Sequence, residues 1–316
     1  MIKEIHIQNY KSIVNAKIKL SPFTLLIGAN GAGKSNFLNF IENTSLYIRS
    51  RYNDELFDNT KHFNHVNLEQ QFSLIDHQGY VFDIDLDDKS SPIAFNKFKN
   101  KMQTLNLNAA IFSLTPQTAS QKEKLIRNSI IEASGKGVVQ VLDSLKTGDR
   151  EDLFHCIEER LKKFIPEIEK LSFISESGSK RLQVRERHIN KPVPVSQLSE
   201  GTQLTLIILT ILFQENPPSL ICIEDIDSGL HPRLYGQIID LCFELSQQEN
   251  IQIIATTHNP YLVDHFKDHE EAVIIVEKKN AETTFTSLAD RLNEDNEDQP
   301  LGELWYTELV GGVPKI

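Results

Sequence analysis

The chain has 316 residues, enough for about two average domains or for one large α/β domain that carries an insertion. Hydrophobic residues make up 40% and charged residues 24% of it, proportions that exclude collagen-like, mucin-like and disordered chains. The net charge is −11, so any binding to DNA or RNA would need a local basic patch.

Three cysteines, Cys156, Cys222 and Cys242, are odd in number and form no C-x-x-C motif. We therefore expect reduced thiols in a cytoplasmic protein without a structural zinc site, with Cys222 packed inside a buried strand. The N-terminal segment lacks an apolar signal core, and the run that comes nearest to a membrane span, 204–213, is too short. We expect a protein that is neither secreted nor membrane-bound.

The N-terminal part predicts strands followed by a helix. Residues 2–7 and 16–20 alternate apolar and polar side chains, which indicates two exposed strands. Residues 23–27 are a continuous apolar run, which is typical of a buried strand. After a glycine-rich stretch, residues 36–48 carry apolar side chains at helical spacing. The order is therefore strand, glycine loop, helix.

The middle of the chain predicts a hairpin and then an insertion. Residues 71–86 alternate around a turn at Gly79, which predicts the hairpin. Residues 92–170 include two stretches with helical spacing, 121–133 and 149–164. We interpret residues 92–170 as a mainly helical insertion.

The C-terminal half alternates strands and helices, which implies a mainly parallel sheet with right-handed crossovers. The predicted elements are strands over 171–187, a helix over 202–213, a strand over 220–223, a helix over 234–245 and a strand over 251–255.

Residues 264–316 are acidic, and we expect this segment to be a solvated face packed on the rest of a single domain. Trp305 and Tyr306 within it either form a partner-binding patch or pack a terminal helix on the core.

Residues 28–35 read Gly-Ala-Asn-Gly-Ala-Gly-Lys-Ser and satisfy the pattern G-x-x-x-x-G-K-[ST] between a buried strand and a helix. Such a loop curls its backbone N–H groups around phosphate oxygens, aided by the helix N-terminus. We predict that Lys34 reaches the β- and γ-phosphates and that the Ser35 hydroxyl ligates Mg²⁺. The alternative is a glycine turn with an exposed lysine. The predicted nucleotide-binding residues of this loop are Gly28, Asn30, Gly31, Ala32, Gly33, Lys34, Ser35 and Asn36.

Two further strand ends supply polar residues. Four apolar residues precede Glu224 and Asp225, which places both carboxylates where open α/β sheets bind ligands. We predict that Glu224 holds Mg²⁺ and that Asp225 orients or deprotonates the attacking water, the alternative being two solvated acids. His258 follows the next buried strand, and we predict that it donates to the γ-phosphate, although a lone histidine at a strand end is usually structural.

Residues 198–203, Leu-Ser-Glu-Gly-Thr-Gln, precede an apolar helix with Ser199 as its natural N-cap. Taken alone, the segment is a well-capped helix. The Ser199 hydroxyl, the Gly201 N–H and the helix dipole nevertheless all favour an anion.

Five segments in this order resemble the ABC-type ATPase heads of the SMC/RecF/OLD group, in particular the short AAA-type ATP-binding proteins of bacteria: IQNYKSI, LLIGANGAGKSN, QLSEGTQ, LICIEDIDSGLHP and IIATTHNP. The resemblance extends to residues 141–171 and 302–314. It implies an α/β P-loop NTPase head with an N-terminal antiparallel β lobe and a helical insertion. It also implies a homodimer that encloses ATP and Mg²⁺ between the Lys34 loop of one copy and Ser199 and Gly201 of the other.

Several details depart from the group or stay open. The acidic pair of the group usually ends in Glu, whereas the Asp225 carboxylate is one methylene shorter, so we expect slow hydrolysis. The signature reads SEGTQ where transporters have SGGQ, and no Q-loop glutamine can be chosen between Gln71 and others. The residues after His258 are too few for the Toprim domain of OLD nucleases, and 92–170 is too short for an SMC arm, so we expect neither module. Asp227, His231 and Pro232 either shape a loop between subunits or are structural.

Three functions are compatible with the sequence. The first is a switch ATPase whose ATP-bound homodimer controls a partner effector, such as a nuclease, in antiviral defence or DNA maintenance. Another, a transporter subunit, fits least, because neither the GLHP segment nor the N-terminus resembles that of a transporter subunit. The remaining function is an ATP-gated DNA clamp that would use the basic side chains of a predicted hairpin, beside Glu186: Lys180, Arg181, Arg185, Arg187 and Lys191. The alternative for these side chains is a solvated, internally paired strand face.

Overall fold

A computed structural model of the chain describes residues 1–49, 71–76, 81–85, 107–121, 123–124, 130–176, 179–248, 251–293, 296 and 299–313. The strands are β1 (Ile2–Tyr10), β2 (Ile13–Lys19), β3 (Phe23–Ile27), β4 (Gln71–Asp76), β5 (Val81–Asp85), β6 (Ala109–Ser113), β7 (Glu123–Lys124), β8 (Ile168–Glu176), β9 (Ser179–Glu186), β10 (Val193–Pro194), β11 (Leu220–Glu224), β12 (Gln252–Thr257), β13 (Val273–Lys279) and β14 (Glu282–Ser287). The α-helices are α1 (Lys34–Arg49), α2 (Val138–Thr147), α3 (Glu151–Phe164), α4 (Glu200–Phe213), α5 (Pro232–Gln248), α6 (Pro260–Val263) and α7 (Leu301–Tyr306).

The chain divides into two compact units. Unit 1 comprises residues 1–111, 218–226 and 242–316, and unit 2 comprises residues 112–217 and 227–241. None of the helices in the described residues combines the length and the apolarity that a bilayer span requires.

Unit 1 is built on a six-stranded sheet in the order β14-β13-β3-β12-β11-β6. Its core is parallel, as predicted: β3 pairs in parallel with β12 and β13, and β11 with β12. All five residues of β3 are buried, which explains its uninterrupted apolar sequence. Because the parallel strands share one direction, their carboxyl ends lie at one edge of the sheet, and the glycine loop follows β3 at that edge.

A second, antiparallel sheet of unit 1 has the order β2-β1-β4-β5. It confirms the predicted β lobe and the hairpin of β4 and β5, whose turn at Gly79 lies outside the described residues. In β1, Ile2, Ile5 and Ile7 are buried while intervening positions are partly exposed, so the alternating sequence reflects one covered face.

Unit 2 combines the helices α2, α3 and α4 with the antiparallel strands β7, β8, β9 and β10. Twelve of the fourteen residues of α4 are buried, so this helix is covered on every side. The carboxylate of Glu158 in α3 is also buried, where it accepts the backbone N–H of Leu171 at 2.7 Å and lies 3.3 Å from the Lys162 ammonium.

The predicted helix over 121–133 is wrong within the described residues. Residues 123–124 form β7, which pairs with β9, and the carbonyl of Ala133 accepts the backbone N–H of Ser113 at 2.9 Å. The backbone hydrogen bonds of these residues are therefore made with other segments of unit 2 and not within a helix, despite the helical spacing of the sequence.

The expected insertion at 92–170 also differs from the structure, although residues 92–106 lie outside the described part. Its helices α2 and α3 are present, but β6 joins the six-stranded sheet of unit 1, and unit 2 comprises residues 112–217 and 227–241. The apolar residues 109–112 are sheet residues that the sequence analysis grouped with the insertion.

The acidic C-terminal segment is more than a solvated face. Residues 273–276 of β13 are fully covered strand residues, and β14 completes the edge of the same sheet. Trp305 is buried whereas Tyr306 is 74% exposed, so the tryptophan packs α7 inside unit 1. The acidic residues 294, 295, 297 and 298 lie outside the described residues.

Candidate nucleotide-binding site

The glycine loop lies between β3 and α1, as the sequence predicts. Gly28 has φ +151° and Gly33 has φ +119°, conformations that favour glycine. A Cβ at Gly28 would overlap the carbonyl oxygen of Val276 in β13, and a Cβ at Gly33 would overlap the side chain of Thr283 in β14. Both glycines are therefore required by the backbone conformation and by close packing against the neighbouring strands.

Lys34 is buried and engaged by its own loop. Its ammonium donates to the carbonyl of Gly28 at 2.7 Å and to that of Ala29 at 3.1 Å. Burial lowers the pKa of Lys34 to about 8, and the negative charges of Asp225 and Glu224 partly oppose this shift. The expectation of an exposed lysine on a simple glycine turn therefore does not fit.

Ser35 and Glu224 bring two oxygen ligands together from distant parts of the sequence. The Ser35 hydroxyl donates to Glu224 Oε1 at 2.7 Å. Hydroxyl and carboxylate oxygens are hard ligands that suit Mg²⁺, which keeps several waters and is held by one or two protein groups plus substrate phosphates. The donor set therefore fits a nucleotide-associated Mg²⁺.

Asp225 is held in an unusual backbone conformation by Thr256. Asp225 has φ +46°, and its N–H donates to Thr256 Oγ1 at 2.9 Å. The N–H of Ile226 donates to the Thr256 carbonyl at 3.1 Å, and the Thr256 hydroxyl lies 3.4 Å from Asp225 Oδ1. Thr256 thus fixes the turn after β11 from both its side chain and its backbone.

His258 lies beside the same carboxylate. Its Nε2 is 3.8 Å from Asp225 Oδ1, and the side chains of both residues are about half exposed. Its imidazole is therefore accessible to solvent and also lies next to Asp225.

These residues enclose one cavity of about 280 Å³ in unit 1. The loop and α1 contribute six predicted residues to its lining: Asn30, Gly31, Gly33, Lys34, Ser35 and Asn36. The ends of β11 and β12 contribute Glu224, Asp225, Thr256 and His258. Thr256 has no role predicted from the sequence, although it lies two residues before His258 at the end of the same buried strand.

Ser199 and Gly201 belong to unit 2, whereas the lining residues of the cavity belong to unit 1. Ser199 is the N-cap of α4, because its Oγ accepts the Thr202 N–H at 3.2 Å. Ser199 is exposed, and a Cβ at Gly201 would lie 3.2 Å from the Gly229 carbonyl oxygen. Within this chain the segment is a well-capped helix start, and Gly201 allows it to pack closely.

Two other predicted groups lie in unit 2. The turn before α5 is stabilised locally, since the N–H of Leu230 donates to the Asp227 carbonyl at 3.0 Å and that of Arg233 to His231 Nδ1 at 3.2 Å. On the β8–β9 hairpin, the Lys180 ammonium lies 2.6 Å from Asp143.

A protein-family model matches most of the chain. Residues 23–264 match the model described as "AAA domain, putative AbiEii toxin, Type IV TA system". The chain belongs to this AAA family. Among its relatives, the Septu protein PtuA of Bacillus mycoides (strain KBAB4) is 26% identical over 301 residues. The match covers 87% of this AAA chain and 40% of the relative, so the chain spans about two fifths of the relative's length.

Solved structures show the fold of this AAA protein. The Smc head bound to the C-winged helix domain of ScpA is similar with a TM-score of 0.56 and 14% identity, covering 92% of this chain and 99% of that one. The SMC head domain from Thermotoga maritima is similar with a TM-score of 0.51 and 15% identity. The match covers 90% of this chain and 98% of that one. The predicted resemblance to SMC heads is confirmed at the level of the fold.

Proposed function

We propose that this AAA protein binds ATP with Mg²⁺ in the cavity of unit 1, hydrolyses it slowly, and uses the nucleotide to switch a homodimer that controls a partner effector. The observation that carries the proposal is the convergence of the Lys34 loop, the Ser35–Glu224 contact and the Asp225–His258 pair in one cavity. Three separate strand ends supply these groups, which a simple structural glycine turn does not need.

Binding would start with Lys34. Its ammonium donates to the carbonyls of Gly28 and Ala29, so it is already positioned at the loop. The β- and γ-phosphates would offer stronger, charged acceptors to the same ammonium. The loop N–H groups and the N-terminus of α1 add to the attraction. Mg²⁺ held by Ser35 and Glu224 would neutralise negative charge on the β- and γ-phosphate oxygens.

Hydrolysis would use Asp225 and His258. Water attacks the γ-phosphorus, the bond from that phosphorus to the β–γ bridging oxygen breaks, and the proton of the water passes to the Asp225 carboxylate. His258 would donate to the γ-phosphate from whichever nitrogen carries its proton. Its Nε2 lies 3.8 Å from Asp225 Oδ1, so the imidazole is next to the carboxylate that would handle the water. The short side chain of Asp225 supports slow turnover.

The homodimer would complete the site with Ser199 and Gly201 of a second copy. Ser199 is exposed at the start of α4, where its hydroxyl and the helix N-terminus favour an anion. A hundredfold preference of ATP for the closed dimer would supply about 2.7 kcal/mol for the switch. The effector would be a separate protein such as a nuclease, and the likeness to a Septu protein supports a role in defence.

A mixing experiment tests the composite site. Lys34→Ala removes the loop ammonium, and Ser199→Arg blocks the opposite half. Each variant alone is expected to lose ATPase activity, whereas an equal mixture should recover about a quarter of the wild-type rate, because half of the dimers are mixed and each has one intact site. Light scattering of Asp225→Asn with ATP and Mg²⁺ should show the dimer directly. If the mixture recovers no ATPase activity and Asp225→Asn forms no dimer with ATP, the composite site is excluded. ATP hydrolysis by the wild type would in that case still support the catalytic site.

A DNA clamp is the second candidate, and the exposed side chains of Arg185, Arg187 and Lys191 favour it. The contact of Lys180 with Asp143 removes one of the five basic groups from that surface. Fluorescence anisotropy with labelled duplex DNA at 50 and 200 mM salt tests the idea, since phosphate-driven binding weakens steeply over that range. Equal binding by Arg185→Gln/Arg187→Gln and wild type would exclude this surface.

A further inference from the structure

The N-terminal segment IQNYKSI has no role in the proposed chemistry, yet it forms an unusual turn between β1 and β2. Asn9 has φ +59° and Lys11 has φ +49°, both in the left-handed region that non-glycine residues seldom adopt. The turn is anchored on α1, where the Asn43 side chain donates to the Tyr10 hydroxyl at 3.0 Å and Phe40 meets the Tyr10 ring edge-on. This anchored conformation places Ser12 behind the nucleotide loop.

Ser12 connects α1 to β14. Its Oγ accepts the side-chain amide of Asn36 at 2.7 Å and lies 2.7 Å from Thr283 Oγ1. Thr283 Oγ1 donates to the carbonyl of Ala32 in the nucleotide loop at 2.9 Å, and the Thr283 N–H donates to the Ser12 carbonyl at 2.7 Å. Ser12 is 3% exposed and Thr283 is 2% exposed, so these bonds are shielded from water.

The direction of this hydrogen-bond chain follows from the number of protons. Each hydroxyl has one proton to donate. Since the Thr283 hydroxyl gives its proton to Ala32, its oxygen must accept from Ser12. The chain therefore runs from Asn36 through Ser12 and Thr283 to the Ala32 carbonyl, with every bond in the same direction. Such an aligned chain is cooperatively strengthened in a buried environment.

The consequence for the site follows from peptide geometry. In a trans peptide the C=O and the next N–H point in opposite directions. Holding the Ala32 carbonyl towards Thr283 therefore directs the Gly33 N–H away from Thr283. Gly33 lines the nucleotide cavity, and Thr283 leaves no room for any side chain at that position.

We propose that Ser12 and Thr283 are positioning residues that hold the Gly33 N–H ready for a nucleotide phosphate through this hydroxyl chain. The inference rests on the proposed nucleotide binding and deepens it. It gives the IQNYKSI segment and β14 a role in phosphate recognition, although neither needs to touch the ligand.

The test uses four variants of the full chain. Ser12→Ala and Thr283→Val each break the hydroxyl chain, and each is expected to weaken ADP binding about tenfold, because one preorganised hydrogen bond to a charged group is lost. Thr283→Ser keeps the hydroxyl and should restore affinity to within about twofold of wild type. Ser246→Ala is the matched control, since Ser246 is a buried serine whose hydroxyl donates only to the Phe243 carbonyl within α5.

Dissociation constants for ADP come from calorimetry, with urea unfolding of each nucleotide-free variant alongside. Ser246→Ala is expected to lose stability without losing affinity. Wild-type affinity in both Ser12→Ala and Thr283→Val would overturn the inference and leave the proposed function intact. Equally weak binding by Thr283→Ser and Thr283→Val would also overturn it, since the hydroxyl would then be irrelevant. If wild type bound no nucleotide, the proposed function itself would fail.

Discussion

Thr256 fixes the backbone conformation of Asp225 through a hydrogen bond, and this can be tested by replacing Thr256 with valine, which has the same shape and no hydroxyl. Thr256 is 3% exposed, and its Oγ1 accepts the Asp225 N–H at 2.9 Å. Losing this partly buried hydrogen bond costs about 0.5–1.5 kcal/mol. The left-handed conformation of Asp225 costs a further ~1–2 kcal/mol that this hydrogen bond helps to offset. Asp225 is therefore expected to relax away from its present position.

The expected result is a split between catalysis and binding. The turnover number of Thr256→Val should fall at least about tenfold, which corresponds to ~1.4 kcal/mol in the barrier. The Michaelis constant should change less than about twofold, because neither Lys34 nor Ser35 is touched. Phosphate release under steady-state conditions measures both quantities, and urea unfolding measures the accompanying loss of stability.

Two controls make the result decisive. Thr256→Ser keeps the hydroxyl and should retain most of the turnover. Thr210→Val removes a buried hydroxyl that donates to the Leu206 carbonyl inside α4, so it should lose stability without a specific loss of turnover. The reasoning is refuted if Thr256→Val loses stability like Thr210→Val but hydrolyses ATP at the wild-type rate.

Two further predictions concern the loop. Because burial lowers the pKa of Lys34 to about 8 and phosphate binding needs the ammonium, ADP affinity should fall about tenfold between pH 7 and pH 9 in calorimetric titrations; a flat profile would contradict that charge requirement. Gly28→Ala would force a Cβ into the Val276 carbonyl, so the free energy of unfolding in urea should drop by more than ~2 kcal/mol. An unchanged free energy of unfolding would mean that β13 can shift away from residue 28 at little energetic cost.

Local sequence patterns correctly predicted that most of the residues lining the cavity lie close together. The loop residues, Glu224, Asp225 and His258 meet because each follows a buried parallel strand, and parallel strands bring their carboxyl ends to one edge. The periodicity of the flanking segments was enough to place each of them. The chemical roles of these residues stay predictions, and the roles of Ser199 and Gly201 need a second copy of the chain for their test.

Two of the features that the sequence did not predict depend on long-range pairing. Thr283 contacts Ala32 across 251 positions, and no local pattern announces such a contact. Residues 121–133 have helical spacing, but β7 pairs with β9 instead. The run Val273–Val276 did carry a signal, since it is continuously apolar, but the acidic residues around it favoured a surface interpretation. Composition averaged over fifty residues hid β13, a seven-residue strand inside the six-stranded sheet.

The length of the Asp225 side chain can be separated from its conformation with Asp225→Glu. The bond from residue 225 to Thr256 Oγ1 comes from the backbone N–H, so glutamate can keep it, and the added left-handed cost relative to aspartate is below about 1 kcal/mol. What changes is the reach of the carboxylate, which moves one methylene towards the cavity and away from the Thr256 hydroxyl. If slow hydrolysis reflects a carboxylate held too far from the water, turnover should rise several-fold while ADP affinity stays constant. A fall in turnover would instead show that the water is positioned for the shorter side chain, with the Thr256 contact as part of the catalytic arrangement.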